Sequence, residues 1–290
     1  MNRQTEGRLI KAAIDGPSGA GKSTVARGAA KELGLLYVDT GALYRAIGLY
    51  VRRSGEKPDD AEAVSALLPE IEVALSHGSD GIQHVFLCGE DVSEAIRENE
   101  ISAYASAVSA LPPVRAFLLG MQRKIAESAS VIMDGRDIGT VVLPDADVKI
   151  FLTASAESRA RRRLKELHEK GKTEVTYEQL LEEMAERDRR DMTRAAAPLV
   201  PAASAVLLDT SELSLEESVA RVVSIIREQK MCIRDSRKPV PVCIEYHKPI
   251  IPYAFTWQQF SFYFEKRRCT ARCFAICKAN YIFRRIKNNA

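Results

Sequence analysis

The sequence predicts an α/β fold of three layers, a parallel five-stranded sheet between two layers of helices. Three observations carry this. Short apolar runs alternate with helical periodicity along the first 230 residues. The runs are apolar throughout, as in strands buried on both faces. A glycine-rich turn joins the first run to the first helix, and repeated βα connections of this kind imply a parallel sheet.

Residues 9–14 form the first apolar run, which ends at Asp15-Gly16 as a buried strand entering a turn. Residues 22–33 carry Val25, Ala26, Ala29, Ala30 and Leu33 at helical spacing, and Gly34 stops that helix. Residues 35–38 read as the second strand. Asp39-Thr40-Gly41 reads as a turn with cap residues, and residues 43–52 continue as a helix. Residues 71–76 and 82–88 flank His77-Gly78-Ser79-Asp80-Gly81, a hairpin signal. Helices are expected over about 92–109 and 114–128. Residues 131–133 and 148–152 are further strands of the buried type. Residues 156–170 and 176–190 are highly charged helices, 205–208 a last strand and 215–229 a last helix.

Composition divides the chain. Residues 231–290 hold 12 Lys/Arg and 3 Asp/Glu, whereas residues 1–230 hold 30 and 36. The last 60 residues also carry 11 of the 19 aromatics and 5 of the 6 cysteines. A jump of this kind marks a boundary near residue 230. Cys88 alone remains in the main body, which argues against a disulfide framework and for a reducing compartment. The polar start, residues 1–8, lacks the apolar stretch of a signal peptide, and no run reaches the ~18 apolar residues of a membrane span. A cytoplasmic protein is expected.

Gly16-Pro17-Ser18-Gly19-Ala20-Gly21-Lys22-Ser23 fits the pattern G-x-x-x-x-G-K-S, with Thr24 following. The chemistry explains the pattern. Successive backbone N–H groups must converge on phosphate oxygens, and glycines permit the backbone angles and the close approach. The N-terminus of the next helix adds its positive end. Lys22 is expected to reach the β- and γ-phosphates and the Ser23 hydroxyl to ligate Mg²⁺. The competing reading is a chance glycine-rich turn, but a strand before and a helix after are the confirming context for a P-loop fold.

Such a cradle serves switches, ATPases and kinases alike, so the other ligand must be sought elsewhere. Thr40, Tyr44 and Arg45 stand near the carboxyl end of the second strand, where open α/β sheets hold ligands. An arginine fork there suits a phosphate, although a lone helix arginine is as often a solvated charge. Asp134-Gly135-Arg136-Asp137 follows the run 131–133, so it too lies at a strand's carboxyl end, and Asp134 is placed to support Mg²⁺ directly or through water. Arg159, Arg161, Arg162 and Arg163 share one helix, and Arg187, Arg189, Arg190 and Arg194 lie on or just after another. Most such arginines face solvent, yet a subset closing on a triphosphate would neutralise the transferring group. His77, His84, His168 and His247 lie outside these motifs. A phosphate acceptor needs no histidine base, because its second pKa of about 6 leaves it largely dianionic at neutral pH.

The phosphate loop, residues 39–45, Gly89-Glu90-Asp91-Val92-Ser93, residues 134–140 and residues 187–199 together resemble the bacterial cytidylate kinase family over about residues 8–229. The resemblance implies transfer from ATP to CMP or dCMP with Mg²⁺, a CMP-binding insert at about 60–112 and a mobile helical lid at about 155–177. It implies that Thr40 and Arg45 contact the CMP phosphate. Lys22, Arg136 and Arg187 would hold phosphates, with Asp134 beside them, and Asp191 and Arg194 would contact ribose and phosphates. Ser106, Arg115 and Asp137 would read the cytosine edge, with Tyr44 beside them, and Arg161 would close on ATP from the lid. A carboxylate can accept from the exocyclic amino group that uracil lacks. Only small-molecule substrates are expected as partners, not nucleic acid or membrane, and a monomer. A kinase for another acceptor, or a nucleotide-binding switch, are the competing readings.

From Met231 the sequence departs from that family. Met231-Cys232-Ile233-Arg234-Asp235-Ser236 resembles one reading frame of a transposon-end adapter used in DNA library construction. Residues 231–290 are therefore expected to be an assembly or translation artefact, outside the fold. A basic nucleic-acid-binding tail, or a metal site at Cys269, Cys273 and Cys277, is the functional alternative. Three cysteines at that spacing lack both the usual C-x₂-C pattern and a fourth ligand.

Overall fold

The computed structural model describes residues 8–78, 81–169, 171 and 174–234. Five strands form the main sheet: β1 (Lys11–Asp15), β2 (Leu36–Asp39), β6 (Val131–Gly135), β7 (Val148–Thr153) and β8 (Val206–Asp209). Their order is β2-β6-β1-β7-β8 and every pairing is parallel. The register pairs Asp15 with Gly135 and Asp39 with Asp134, so three acids meet at one edge.

Apolar alternation on β1 explains the layering. Ala12 and Ile14 pack with α1 (Lys22–Leu33) and α8 (Leu215–Arg234) through Val25, Ala29, Val222 and Ile226. On the other face Ala13, with Val38 and Met133, packs against Ala126, Ile138 and Val142. Each fully buried Val, Leu or Ile contributes about 1.5–3 kcal/mol.

A second apolar cluster gathers around α2 (Thr40–Arg53), whose Leu43 and Ile47 are wholly buried. It is built from α3 (Ala61–Leu67), the antiparallel sheet of β3 (Val73–His77), β4 (Gln83–Leu87) and β5 (Glu90–Asp91), then α4 (Asn99–Val108) and α5 (Pro112–Ser128). This hairpin is pinned to the main sheet by side chains. Gln83 accepts from the Asp39 N–H at 2.9 Å, and His77 Nε2 lies 2.8 Å from the Tyr37 carbonyl. The remaining helices, α6 (Ala156–Glu169) and α7 (Tyr177–Thr193), pack on each other through Ala160, Leu167, Leu180 and Met184. Thr176 and Gln179 form a capping box that starts α7.

The five expected strands and most of the helices are present, with differences. Thr40 is already helical, because Asp39 caps α2 by accepting from Ala42 N at 3.1 Å. The single helix expected over about 92–109 divides into a 3-10 turn at Ala95–Arg97 and α4. The helix α3 and the two-residue β5 were not expected, nor was the wide helical turn Ile138–Val142. The last helix runs past its expected end to Arg234. The rest of the expected tail, with Cys269, Cys273 and Cys277, lies outside the described residues.

Candidate active site

The phosphate loop leaves β1 at Gly16, whose φ of 153° is open to glycine alone here: a Cβ would stand 1.9 Å from the Leu152 carbonyl oxygen. The loop turns through Pro17, Ser18, Gly19 and Ala20 to Gly21, the left-handed N-cap of α1. Lys22 is buried and its Nζ donates to the Pro17 carbonyl at 2.7 Å. Thr24 is exposed on the first turn of α1.

Asp134, the penultimate residue of β6, lies beside this loop and is 3% exposed. Its carboxylate accepts from Ser23 Oγ at 2.8 Å and from the Tyr37 hydroxyl at 3.0 Å. Its carbonyl accepts from Thr40 Oγ1 at 2.8 Å. Burial, then the Asp39 charge, pushes the Asp134 carboxyl above the usual carboxylate range. Burial, then the Arg136 guanidinium, holds Lys22 well below the usual amine value. Arg187 is pushed down to about 10 by burial, and next by Arg136. These cations crowd one another, an arrangement that bound anions relieve.

A second wall faces them. Arg45 Nη2 donates to Asp39 at 2.7 Å, while its buried Nε has no hydrogen-bond partner among the described residues. Arg136 Nε donates to Asp191 on α7 at 2.9 Å. Arg194, just beyond α7, donates to the Ala197 carbonyl at 2.8 Å and stands 3.7 Å from Asp137. Asp137 is 4% exposed and closely paired with Arg115 from α5. Arg115 also donates to the Ser109 carbonyl at 3.1 Å, and its guanidinium lies over the Tyr44 ring at 5.7 Å.

The structure thus brings together Lys22, Ser23, Asp134, Thr40, Arg45, Arg136, Asp191 and Arg187 at one sheet edge, and Tyr44, Arg115, Asp137 and Arg194 beside it. Two expected residues stand less close. Ser106 lies half-buried on α4, one turn before Ser109, and Arg161 is exposed on α6. Arg159, also on α6, does meet the loop. It is 4% exposed and donates to the Ser18 carbonyl at 2.9 Å and to Asp188 at 2.6 Å. Asp15 and Tyr37, absent from the expected set, are also built into the site. Both looked like ordinary strand positions in the sequence, and only the cross-strand register shows what they touch.

A cationic hollow shared by a phosphate loop and a second, arginine-lined wall is suited to two phosphate-bearing ligands set end to end. On a parallel α/β sheet, this defines a P-loop phosphotransferase. The family model described as cytidylate kinase matches residues 12–228. Cytidylate kinase of Caldanaerobacter subterraneus subsp. tengcongensis is 54% identical over 219 residues, 76% of this chain and 95% of that protein. Cytidylate kinase of Caldicellulosiruptor bescii is 50% identical over 218 residues, 75% of this chain and 96% of that protein. Shikimate kinase from Bacteroides thetaiotaomicron is a solved structure similar to it at 15% identity and a TM-score of 0.38, over 75% of this chain and 98% of that one. The chain belongs to the cytidylate kinase family, and it is an enzyme that phosphorylates CMP with ATP as the donor.

Proposed function

We propose that the crevice along the carboxyl ends of β1, β2 and β6 is where this transfer takes place. ATP lies with its phosphates on residues 16–24. CMP or dCMP lies against α2, α5 and α7, and the products are ADP with CDP or dCDP. The observation that carries the reading is the cluster of buried Lys22 with half-buried Arg136 and Arg187, in which both arginines lower the affinity of Lys22 for protons and Arg136 lowers that of Arg187. It lies where a γ-phosphate and an acceptor phosphate would meet, and its charges would stabilise the transferring group.

The roles divide by wall. The loop N–H groups and Lys22 hold the donor phosphates. Thr40 and Arg45 hold the acceptor phosphate, with the free Arg45 Nε as an available donor. Arg136 and Arg187 bridge the two, and Asp191 and Arg194 take ribose and phosphate. Asp137 and Arg115, with Ser106 and Tyr44 at the edge, take the cytosine ring. The lid, about residues 155–177 and built on α6, closes over the donor and brings Arg161 toward it. No side chain need act as base, since the acceptor phosphate is already ionised.

Ser23 Oγ and the Asp134 carboxylate adjoin each other at 2.8 Å. Both are hard oxygen donors, which fits Mg²⁺ completed by phosphate oxygens and water. When bound, the ion neutralises charge on the β- and γ-phosphates. Among the described residues no group of three or more His, Cys, Asp or Glu could hold a metal ion.

The enzyme is proposed to act in the cytoplasm as a monomer on small molecules alone. No helix among the described residues is long and apolar enough to cross a membrane. The test is ADP production by the purified chain with Mg-ATP, offering CMP, dCMP, UMP, AMP and GMP separately. Strong turnover with CMP and dCMP, weak with UMP and absent with purines, is expected. Equal turnover of CMP and UMP would overturn the base pocket.

A further inference from the structure

We propose that Asp15 is a positioning residue for acceptor-base selection, fixing the turn that carries Asp137 to the strand that opens the phosphate loop. This rests on the reading above, in which Asp137 meets the cytosine edge.

Asp15 is the last residue of β1 and is 4% exposed. Its two carboxylate oxygens are both used, and on backbone: Oδ1 accepts from the Ile138 N–H and Oδ2 from the Gly139 N–H, each at 2.7 Å. Those N–H groups open the wide turn Ile138–Val142 and have no acceptor inside it, as the first donors of any helical segment do not. The same turn is closed on Asp137, whose carbonyl accepts from Val141 N at 2.9 Å and Val142 N at 3.2 Å. Asp137 therefore cannot shift without the turn, and the turn is held by Asp15.

The contact is close. A Cβ at position 139 would stand 3.3 Å from Asp15 Oδ2 and 3.2 Å from Lys149 Cδ, so glycine lets the turn settle on the carboxylate. On its other side Asp15 adjoins Gly16, whose conformation is fixed by the Leu152 carbonyl. The donor loop and the turn bearing Asp137 thus share one rigid anchor. A carboxylate suits this task better than an amide. Asparagine offers one acceptor oxygen and would aim its NH₂ at the second N–H.

Asp15→Asn tests the assignment. kcat and KM are measured for CMP and UMP at saturating ATP, with a thermal melt to confirm folding. The preference for CMP over UMP, as a ratio of kcat/KM, is expected to fall by roughly tenfold through a higher KM for CMP, because small misplacements of binding groups cost rates of that order or more. A variant that is slower with both nucleotides but keeps the CMP/UMP ratio would show a merely structural role and overturn the proposal. Should Asp15→Asn fail to fold, Gly139→Ala leaves the carboxylate in place, crowds it, and must lower the same ratio. Asp137→Ala, measured alongside, separates the two readings. If it loses the preference while Asp15→Asn keeps it, only the Asp15 role fails. If it keeps the preference while Asp15→Asn loses it, the base-reading role of Asp137 fails and the anchoring of the turn stands.

Discussion

Arg159 and Asp188 form a two-pronged ion pair between α6 and α7, Nη2 to Oδ2 at 2.6 Å and Nη1 to Oδ1 at 3.2 Å. The same guanidinium bonds the Ser18 carbonyl, so the pair ties both helices to the phosphate loop. Arg159 is almost fully buried and Asp188 mostly so. Removing one partner leaves the other charge stranded, at a cost of about 3–5 kcal/mol. Arg159→Met is therefore expected to lower stability by that order and to raise the KM for ATP. Arg159→Met combined with Asp188→Leu should recover much of the stability but not the KM. Urea melts and ATP titrations of the wild type and the two variants check this, and equal stability of the single and double variants would refute it.

Tyr37 donates to the Asp134 oxygen that Ser23 leaves free. Groups that orient a metal-binding carboxylate typically contribute 10–100-fold in metal affinity. Tyr37→Phe should raise the Mg²⁺ concentration for half-maximal rate by roughly that factor. The KM for CMP should move little. A magnesium titration at fixed ATP is the measurement.

Lys22 has its affinity for protons lowered by burial and by Arg136. Phosphate oxygens against its Nζ act in the opposite direction. Binding of ATP near pH 8, where the nucleotide itself is fully ionised, should draw protons from solution. Calorimetry in buffers of different ionisation enthalpy will show that uptake, and Lys22→Met should abolish it.

Asp15 is pushed up to about 6 from an ordinary value of 3.8, burial outweighing its two backbone hydrogen bonds. A carboxyl that holds its proton more tightly when folded stabilises the fold most below its unfolded pKa and loses that contribution as pH rises through the folded one. The stability of the wild type minus that of Asp15→Asn should therefore decline between about pH 4 and 6 and level off above, since the substitution cannot titrate. Paired denaturant melts across that window give the answer. A flat difference would mean that Asp15 is not held above its ordinary range.

The sequence carried more of the donor side than of the rest. Glycines with a lysine at fixed spacing are local chemistry, and the loop formed where they stand. The acidic edge was also legible, because Asp39 and Asp134 each follow an apolar run. What escaped depends on which strands lie side by side. Tyr37 touches Asp134 only because β2 pairs with β6 in that register, and Asp15 reaches Ile138 only across the same sheet. Arg159 could not be told from Arg161 by spacing, since both sit in one charged helix and only packing buries the first. The helix α3 left a readable cap at Asp60, which accepts from Glu62 N and Ala63 N. With one buried side chain, Val64, its apolar stripe is too thin to register as periodic.

The strand order has a consequence for synthesis. The centre strand β1 finds its neighbours in β6 and β7, and Lys11 pairs with Val131, 120 residues later in the chain. At ~5–20 residues per second, β1 leaves the ribosome on the order of ten seconds before either neighbour exists. Throughout that interval Ala12, Ala13 and Ile14 have no sheet to enter. The phosphate loop, the first functional segment to be made, can take up its working shape only once Leu152 has arrived to close against Gly16.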